Sequence, residues 1–211
     1  MRARYNKNAV SQIEIFDRYI SSKDEIQKKI QNKKVYVEIG MGKGDFITQM
    51  AINDKDNIYI GIELSTPILA LAIKKLKRFE ECENIRINNI YFMSFDAIKI
   101  SQFFNMEQID KIFLNFSDPW PKSRHEKRRL TNSAFLNEYK YVLKENAIIE
   151  FKTDNRCLFE YSLVSMQNFG LKFLNVYLDL HVANIPNILT EYEEKFSKFG
   201  PIYKLVVEIV K

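Results

Sequence analysis

The stretch "VEIGMGKGDF", residues 37–46, decides how this chain folds. A short β-rich run, "KVYVEIG" at 34–40, closes on Gly40, Gly42 and Gly44, and "DFITQMAIN" at 45–53 follows with helical spacing. Strand, glycine turn and helix in that order open a parallel α/β unit, and glycines there let the backbone turn tightly and approach a ligand. The spacing is G-x-G-x-G, shorter than the dinucleotide fingerprint, and no Lys-Ser/Thr pair follows, so the turn is not a P-loop. Glu38 precedes it by two residues. A glycine turn beside a carboxylate suits a cationic, nucleoside-bearing ligand better than a pyrophosphate.

The same alternation continues outward from this stretch. "NIYIGIEL" at 57–64, "NIYFMSFDA" at 89–97, "IDKIFLNF" at 109–116 and "NAIIEFKTDN" at 146–155 read as strands. Between them, "TPILALAIKKLKRFE" opens a helix with Thr66 as N-cap and Pro67 at its first position. "TNSAFLNEYKYVLKE" at 131–145 gathers Phe135, Leu136, Tyr139, Val142 and Leu143 on one helical side, and "RCLFEYSLVSMQNFG" is a helix ended by Gly170. One further helix is expected around Ser11–Lys29. The tail holds "LKFLNVYLDL" at 171–180, a short helix near 191–199 and a last strand, "IYKLVVEIV". No long crossover joins these last two strands, so the final one should run antiparallel. The expectation is an α/β, doubly wound, Rossmann-like sheet, mostly parallel, with an antiparallel last strand and helices on both faces. One domain over residues 1–211 is expected, with 1–33 as an N-terminal extension.

Composition agrees with a folded, water-soluble chain. Of 211 residues, 46% are hydrophobic and 13% aromatic, enough for a sizeable core. The 32 basic and 27 acidic residues leave a net charge of +5. Five of the Lys/Arg fall within residues 122–129 against a single Glu, which marks a surface able to meet phosphate. Cys82 and Cys157 lack metal-ligand spacing, so no metal is expected and both thiols should stay reduced in a cytoplasmic setting. No apolar run reaches 18 residues, and "MRARYNKNAV" has no apolar signal core, so neither membrane nor export is indicated.

Acids stand at the ends of successive strands. Glu38 precedes the glycines, Glu63 ends the second strand and Asp96 the third; ligands of such sheets bind at those strand ends. Glu63 is placed to accept hydrogen bonds from both hydroxyls of a ribose. This arrangement resembles the S-adenosylmethionine site of Rossmann-fold methyltransferases. The resemblance implies that Glu38, Gly40, Gly42 and Gly44 face the methionine part, Glu63 the ribose and Asp96 the adenine amino group.

The fourth strand ends in "FSDPWPKSRHEKRRLT", residues 116–131. In a doubly wound sheet strand four lies beside strand one, so Asp118 should stand opposite the glycine loop, where a methyl group would be delivered. Pro119 and Pro121 stiffen the exit around Trp120. A turn cap for Asp118 and a core anchor for Trp120 are the plainer alternatives. The stretch is similar to the signature of the bacterial tRNA (guanine-N7)-methyltransferase family. "VEIGMGKGDF", "GIELS", "FKTDN" and "TEYEEKF" match that family in order and spacing over most of the chain. Ser123 departs from it, standing where many members carry another basic residue. The resemblance implies S-adenosyl-L-methionine as cofactor and methyl transfer to N7 of guanine 46 in the tRNA variable loop. It implies Asp118 as catalytic and cofactor-contacting, with Lys122, Asp154, Thr190, Glu191, Tyr192 and Glu193 on the tRNA. Arg124, His125, Glu126, Lys127, Arg128 and Arg129 form the implied RNA-contacting loop, expected to be mobile without RNA. Arg2 and Arg4 are candidates for further phosphate contacts. The chemistry suits these residue types. Guanine N7 has a free lone pair at neutral pH and needs no base, whereas a carboxylate can accept from N1–H and the 2-amino group as the ring becomes positive. The resemblance implies tRNA as the partner, and a monomer or homodimer is expected. A non-catalytic RNA-binding protein on a methyltransferase fold remains the alternative, as does a methyltransferase of small molecules or proteins.

Overall fold

The structure, a computed structural model, describes residues 9–183 and 185–211. Arg2 and Arg4 lie outside the described residues. The chain forms two compact units, Met1–Ala97 and Ile98–Lys211.

The first unit opens with α1 (Ala9–Glu14) and α2 (Lys23–Lys29). One helix was expected here. It is divided because Ser22 caps α2 through a capping box, its hydroxyl accepting from the Glu25 amide while Glu25 reaches back to the Ser22 amide. The segment between the helices pairs instead with a strand: the Ile20 amide donates to the Phe92 carbonyl and the Phe92 amide to the Arg18 carbonyl. Then follow β1 (Val35–Ile39), α3 (Asp45–Asn53), β2 (Ile58–Ile62), α4 (Thr66–Glu83) and β3 (Ile90–Met93). Both strand pairs are parallel, in the order β3-β2-β1, with Glu38 beside Gly61 and Gly61 beside Phe92. All five residues of β2 are buried, which is why the run lacks alternation. The core joins Met41, Ile47, Tyr59, Leu69, Ile73, Leu76 and Phe92 with Ile13 and Phe16 from the N-terminal segment.

Further boundaries differ from expectation. The N-cap of α4 is Ser65, one residue early, because its carbonyl already accepts from the Ile68 and Leu69 amides. β3 stops at Met93 rather than running to Ala97; Ala97–Gln102 winds into a 3-10 helix instead.

The second unit holds β4 (Ile109–Asn115), a 3-10 helix over Ser123–Arg128, α5 (Ser133–Val142), β5 (Leu143–Thr153), α6 (Arg156–Asn168), β6 (Lys172–Tyr177), α7 (Glu191–Phe196) and β7 (Tyr203–Glu208). β4 and β5 are parallel, and β7 runs antiparallel to both β5 and β6, giving the order β4-β5-β7-β6. The antiparallel last strand is as expected. α5 ends three residues before its expected limit because Leu143 is fully buried and pairs with Ile109. On β5, Glu150 is bridged by Lys111 of β4 and Lys204 of β7, the latter at 2.7 Å. Burial opposes its charge, but the two ammonium groups hold its carboxyl below the usual range.

Candidate active site

The glycine turn is tied to the end of β2. The Gly40 and Met41 amides both donate to the Ile62 carbonyl, at 2.8 and 3.1 Å, and the Gly44 amide closes back on the Met41 carbonyl. Gly40, Gly42 and Gly44 have φ of 73°, 58° and 78°, the left-handed region that glycine enters at no steric cost. At Gly40 and Gly42 a Cβ would meet nothing within 4 Å, so both face open space that a side chain would fill. That is the shape of a cradle for a ligand lying on backbone. Glu38 is 2% exposed at the end of β1, and a carboxylate so buried suits a cationic neighbour.

Glu63 leaves β2 with its carboxylate doubly engaged. Oε2 accepts from the Gly42 amide at 3.1 Å and Oε1 from the Ser65 amide at 2.8 Å. These two bonds fix its rotamer without exhausting the four acceptor sites of a carboxylate. One acid thus links the glycine turn to the start of α4. Asp96 is exposed, immediately before the 3-10 helix Ala97–Gln102. Gly61, which sequence reasoning did not single out, lets Met41 pack beneath the loop: a Cβ there would lie 2.1 Å from the Met41 sulfur. These groups fit S-adenosyl-L-methionine, with cradle, buried acid and ribose acceptor all in the first unit.

In the second unit, Asp118 is exposed and flanked by strain. Phe116 has φ 50° and Trp120 φ 42°. Of the six described non-glycine residues with positive φ, three are asparagines, which bear it most easily; two are these aromatics. Each costs roughly 1–2 kcal/mol and persists only where its surroundings enforce it. Phe116 is held by its amide, which donates to the Lys152 carbonyl at 2.8 Å, and by its ring, 5.0 Å from that of Tyr192. Trp120 is held from the basic loop. The Arg128 guanidinium lies 4.9 Å over its ring, His125 meets it edge-on at 5.6 Å, and Arg129 donates to its carbonyl at 3.1 Å.

The basic loop thus packs against Trp120 through Arg128, His125 and Arg129. Its 3-10 helix also receives a hydrogen bond from the Tyr161 hydroxyl to Glu126. Lys122, Arg124 and Lys127 remain exposed, while Arg129 is half-buried.

The "FKTDN" and "TEYEEKF" residues come together by their side chains. Lys152 donates to Glu193 Oε2 at 2.7 Å and to the Ile188 carbonyl, and both charges are buried. Asn187 Nδ2 reaches the other Glu193 oxygen at 2.6 Å, with His181 Nε2 3.2 Å from it. Glu193 is thus turned inward, fully buried, where sequence reasoning expects it on the substrate. Thr190 is the N-cap of α7, accepting from the Glu193 amide, and Glu191 pairs with Lys195. Asp154 is exposed and accepts from the Tyr192 hydroxyl at 3.0 Å. Burial, with the Asp154 carboxylate beside it, raises the Tyr192 phenol above its ordinary value and keeps it a donor. Lys152 was missed, yet a signal existed. Glu150 and Lys152 sit two apart in an apolar strand, on one face, and buried charges there require partners.

Among the described residues no helix is long and apolar enough to cross a membrane, and no His/Cys/Asp/Glu group is placed to hold a metal. Cys82 and Cys157 are exposed free thiols.

Known proteins resemble the chain at two levels. Its fold is that of Rossmann-like methyltransferases. An antibiotic-related methyltransferase superposes with a TM-score of 0.66 at 22% identity, covering 89% of this chain and 94% of its own. The 16S rRNA (adenine(1408)-N(1))-methyltransferase from Catenulisporales acidiphilia does so at 0.64 and 12%, covering 90% and 94%. The family described as putative methyltransferase matches residues 32–205. The tRNA (guanine-N(7)-)-methyltransferase of Lactiplantibacillus plantarum is 49% identical over 81% of this chain and 78% of its own. That of Bacillus subtilis is 49% identical over 82% and 80%. That of Streptococcus equi subsp. zooepidemicus is 42% identical over 97% and 98%, so the likeness runs through the glycine turn, the Asp118 stretch and α7 alike. With such identity sustained over both units, the chain belongs to the tRNA (guanine-N(7)-)-methyltransferase family.

Proposed function

We propose that this protein transfers a methyl group from S-adenosyl-L-methionine to N7 of a guanine in tRNA, and that the target is guanine 46 of the variable loop. The observation that carries the reading is the 42% identity to a tRNA (guanine-N(7)-)-methyltransferase over nearly the full length of both chains. In this reading the chain works as one methyltransferase domain, with residues 1–33 as an extension.

When bound, S-adenosylmethionine supplies a methyl group on a sulfonium sulfur, which the N7 lone pair takes while the C–S electron pair stays on sulfur. No proton leaves N7, so the protein's task is positioning and charge stabilisation. Gly40, Gly42 and Gly44 offer backbone to the cofactor, Glu38 a negative charge to its methionine end, Glu63 its acceptor oxygens to the ribose, and Asp96 a carboxylate to the adenine amino group. Asp118 is the catalytic residue, accepting from the guanine edge that becomes a better donor as the ring turns positive. Asp154 and Tyr192 face the tRNA, and Lys122, Arg124 and Lys127 meet phosphates.

Incubation of unmodified tRNA with methyl-labelled cofactor, followed by nucleoside analysis, tests this. The expected product is 7-methylguanosine, absent when guanine 46 is replaced by adenine. Label in another nucleoside overturns the activity; label retained in the replaced tRNA overturns the position alone.

A further inference from the structure

Arg129 belongs to the basic run by sequence but not by geometry. Its Nε donates to the Pro119 carbonyl and its Nη2 to the Trp120 carbonyl, both at 3.1 Å. Its guanidinium lies 4.2 Å over the Tyr161 ring of α6. Tyr161 is itself fixed, donating to Glu126 and accepting from Asn132, the N-cap of α5. The fork is thus held between a rigid aromatic floor and two consecutive carbonyls.

Those carbonyls need it. Pro119 and Pro121 have no N–H, so the segment around them has few amides with which to close its own turn. Trp120 sits in the left-handed region, where a bulky residue stays only under constraint. Asp118 is the residue before Pro119, its backbone limited to extended conformations, so what fixes Pro119 and Trp120 fixes the backbone that presents its carboxylate.

We propose that Arg129 is a positioning residue of the methyl-transfer site, a clamp that holds the Pro119–Trp120 turn and thereby aims Asp118, and is not a phosphate contact. The proposal rests on the reading of Asp118 as the catalytic residue. A guanidinium is required, because two bonds from one planar fork, with stacking on Tyr161, exceed what an ammonium can supply.

The test uses the full chain, with turnover and tRNA affinity measured across a salt series. Arg129→Lys keeps the charge and should lower kcat at least tenfold, with tRNA KM, the log–log salt slope and cofactor Kd at wild-type values. Tyr161→Leu removes the floor without changing the net charge and should lower kcat in the same way, which a phosphate contact would not do. Arg124→Ala is the comparator and should reduce the salt slope by about 0.7–0.9, as the loss of one phosphate contact requires. Wild-type kcat in Arg129→Lys overturns the clamp. So does a kcat loss in Arg129→Lys with none in a folded Tyr161→Leu. A reduced salt slope in Arg129→Ala would make Arg129 a phosphate ligand after all. If Asp118→Ala turns over normally, the reading of Asp118 falls instead, and the two failures are told apart.

Discussion

The glycine turn and the Asp118 turn both leave a strand end in left-handed conformations, yet by opposite means. Gly40, Gly42 and Gly44 adopt positive φ freely, and the turn is closed by its own amides on Ile62 and Glu63. Phe116 and Trp120 adopt it at a cost and are held by side chains from elsewhere: Tyr192, Arg128, His125 and Arg129. The first turn bears its positive φ on glycines, which need no support for it. The second bears it on aromatics, so it should break when the side chains that hold them change.

Lys152→Met should have the largest effect on that second turn. It leaves Glu193 buried without its ammonium, which costs about 3–5 kcal/mol. Thermal or denaturant unfolding would measure the loss, and Lys152→Met with Glu193→Leu should recover much of it. A single variant as stable as wild type would mean that α7 is not pinned through this pair.

Asp118→Ala comes next. Methyl transfer should fall by roughly 10²–10³, the scale of losing one group aimed at developing charge, with the melting temperature unchanged. The same strain should make Trp120→Gly a gentler change in backbone terms but one that frees Arg128 and His125. Near-normal turnover in folded Asp118→Ala would remove the functional meaning of the strained turn.

Glu63→Ala probes the glycine side. Cofactor affinity should fall by about 1.5–3 kcal/mol, the loss of hydrogen bonds to a charged acceptor, with tRNA affinity little changed. Calorimetry decides it. Equal cofactor affinity would make Glu63 only the brace between the Gly42 and Ser65 amides.

The contrast also explains what was legible. Gly-x-Gly-x-Gly after a buried strand carries its own conformation, and β2, all buried, reads as a strand without any partner in view. The order of elements and the antiparallel last strand followed from such local signals, whereas β3 ended short of Asp96. Arg129 did not, because nothing in "RHEKRRLT" tells the arginine that folds back on Pro119 from those that stay in solvent. The same holds for Glu193. In "TEYEE" it looks like its exposed neighbour Glu194, and its inward turn depends on Lys152, 41 residues earlier, with Asn187 and His181. Helix limits failed for a related reason: Ser22 started a helix through a cap and Leu143 ended one through a strand pairing, neither of which periodicity contains.

The smallest effect belongs to the cations that remain in solvent. Lys122, Arg124 and Lys127 are exposed on the 3-10 helix or at its edge and make none of the clamp contacts of Arg128 and Arg129. Removing Lys127 should leave stability and cofactor affinity at wild-type values, because no core or cofactor group touches it. If it meets a phosphate, one fewer counterion is released on binding, and the log–log salt slope should drop by about 0.7–0.9. The affinity change at physiological salt would then be modest and should vanish at high salt, where screening removes the attraction for every variant. Measuring tRNA binding by Lys127→Ala from low to high salt separates the two kinds of basic residue in the loop. An unchanged slope would leave Lys127 as a solvated charge, and the loop's contribution would then lie in what Arg128 and Arg129 do to Trp120.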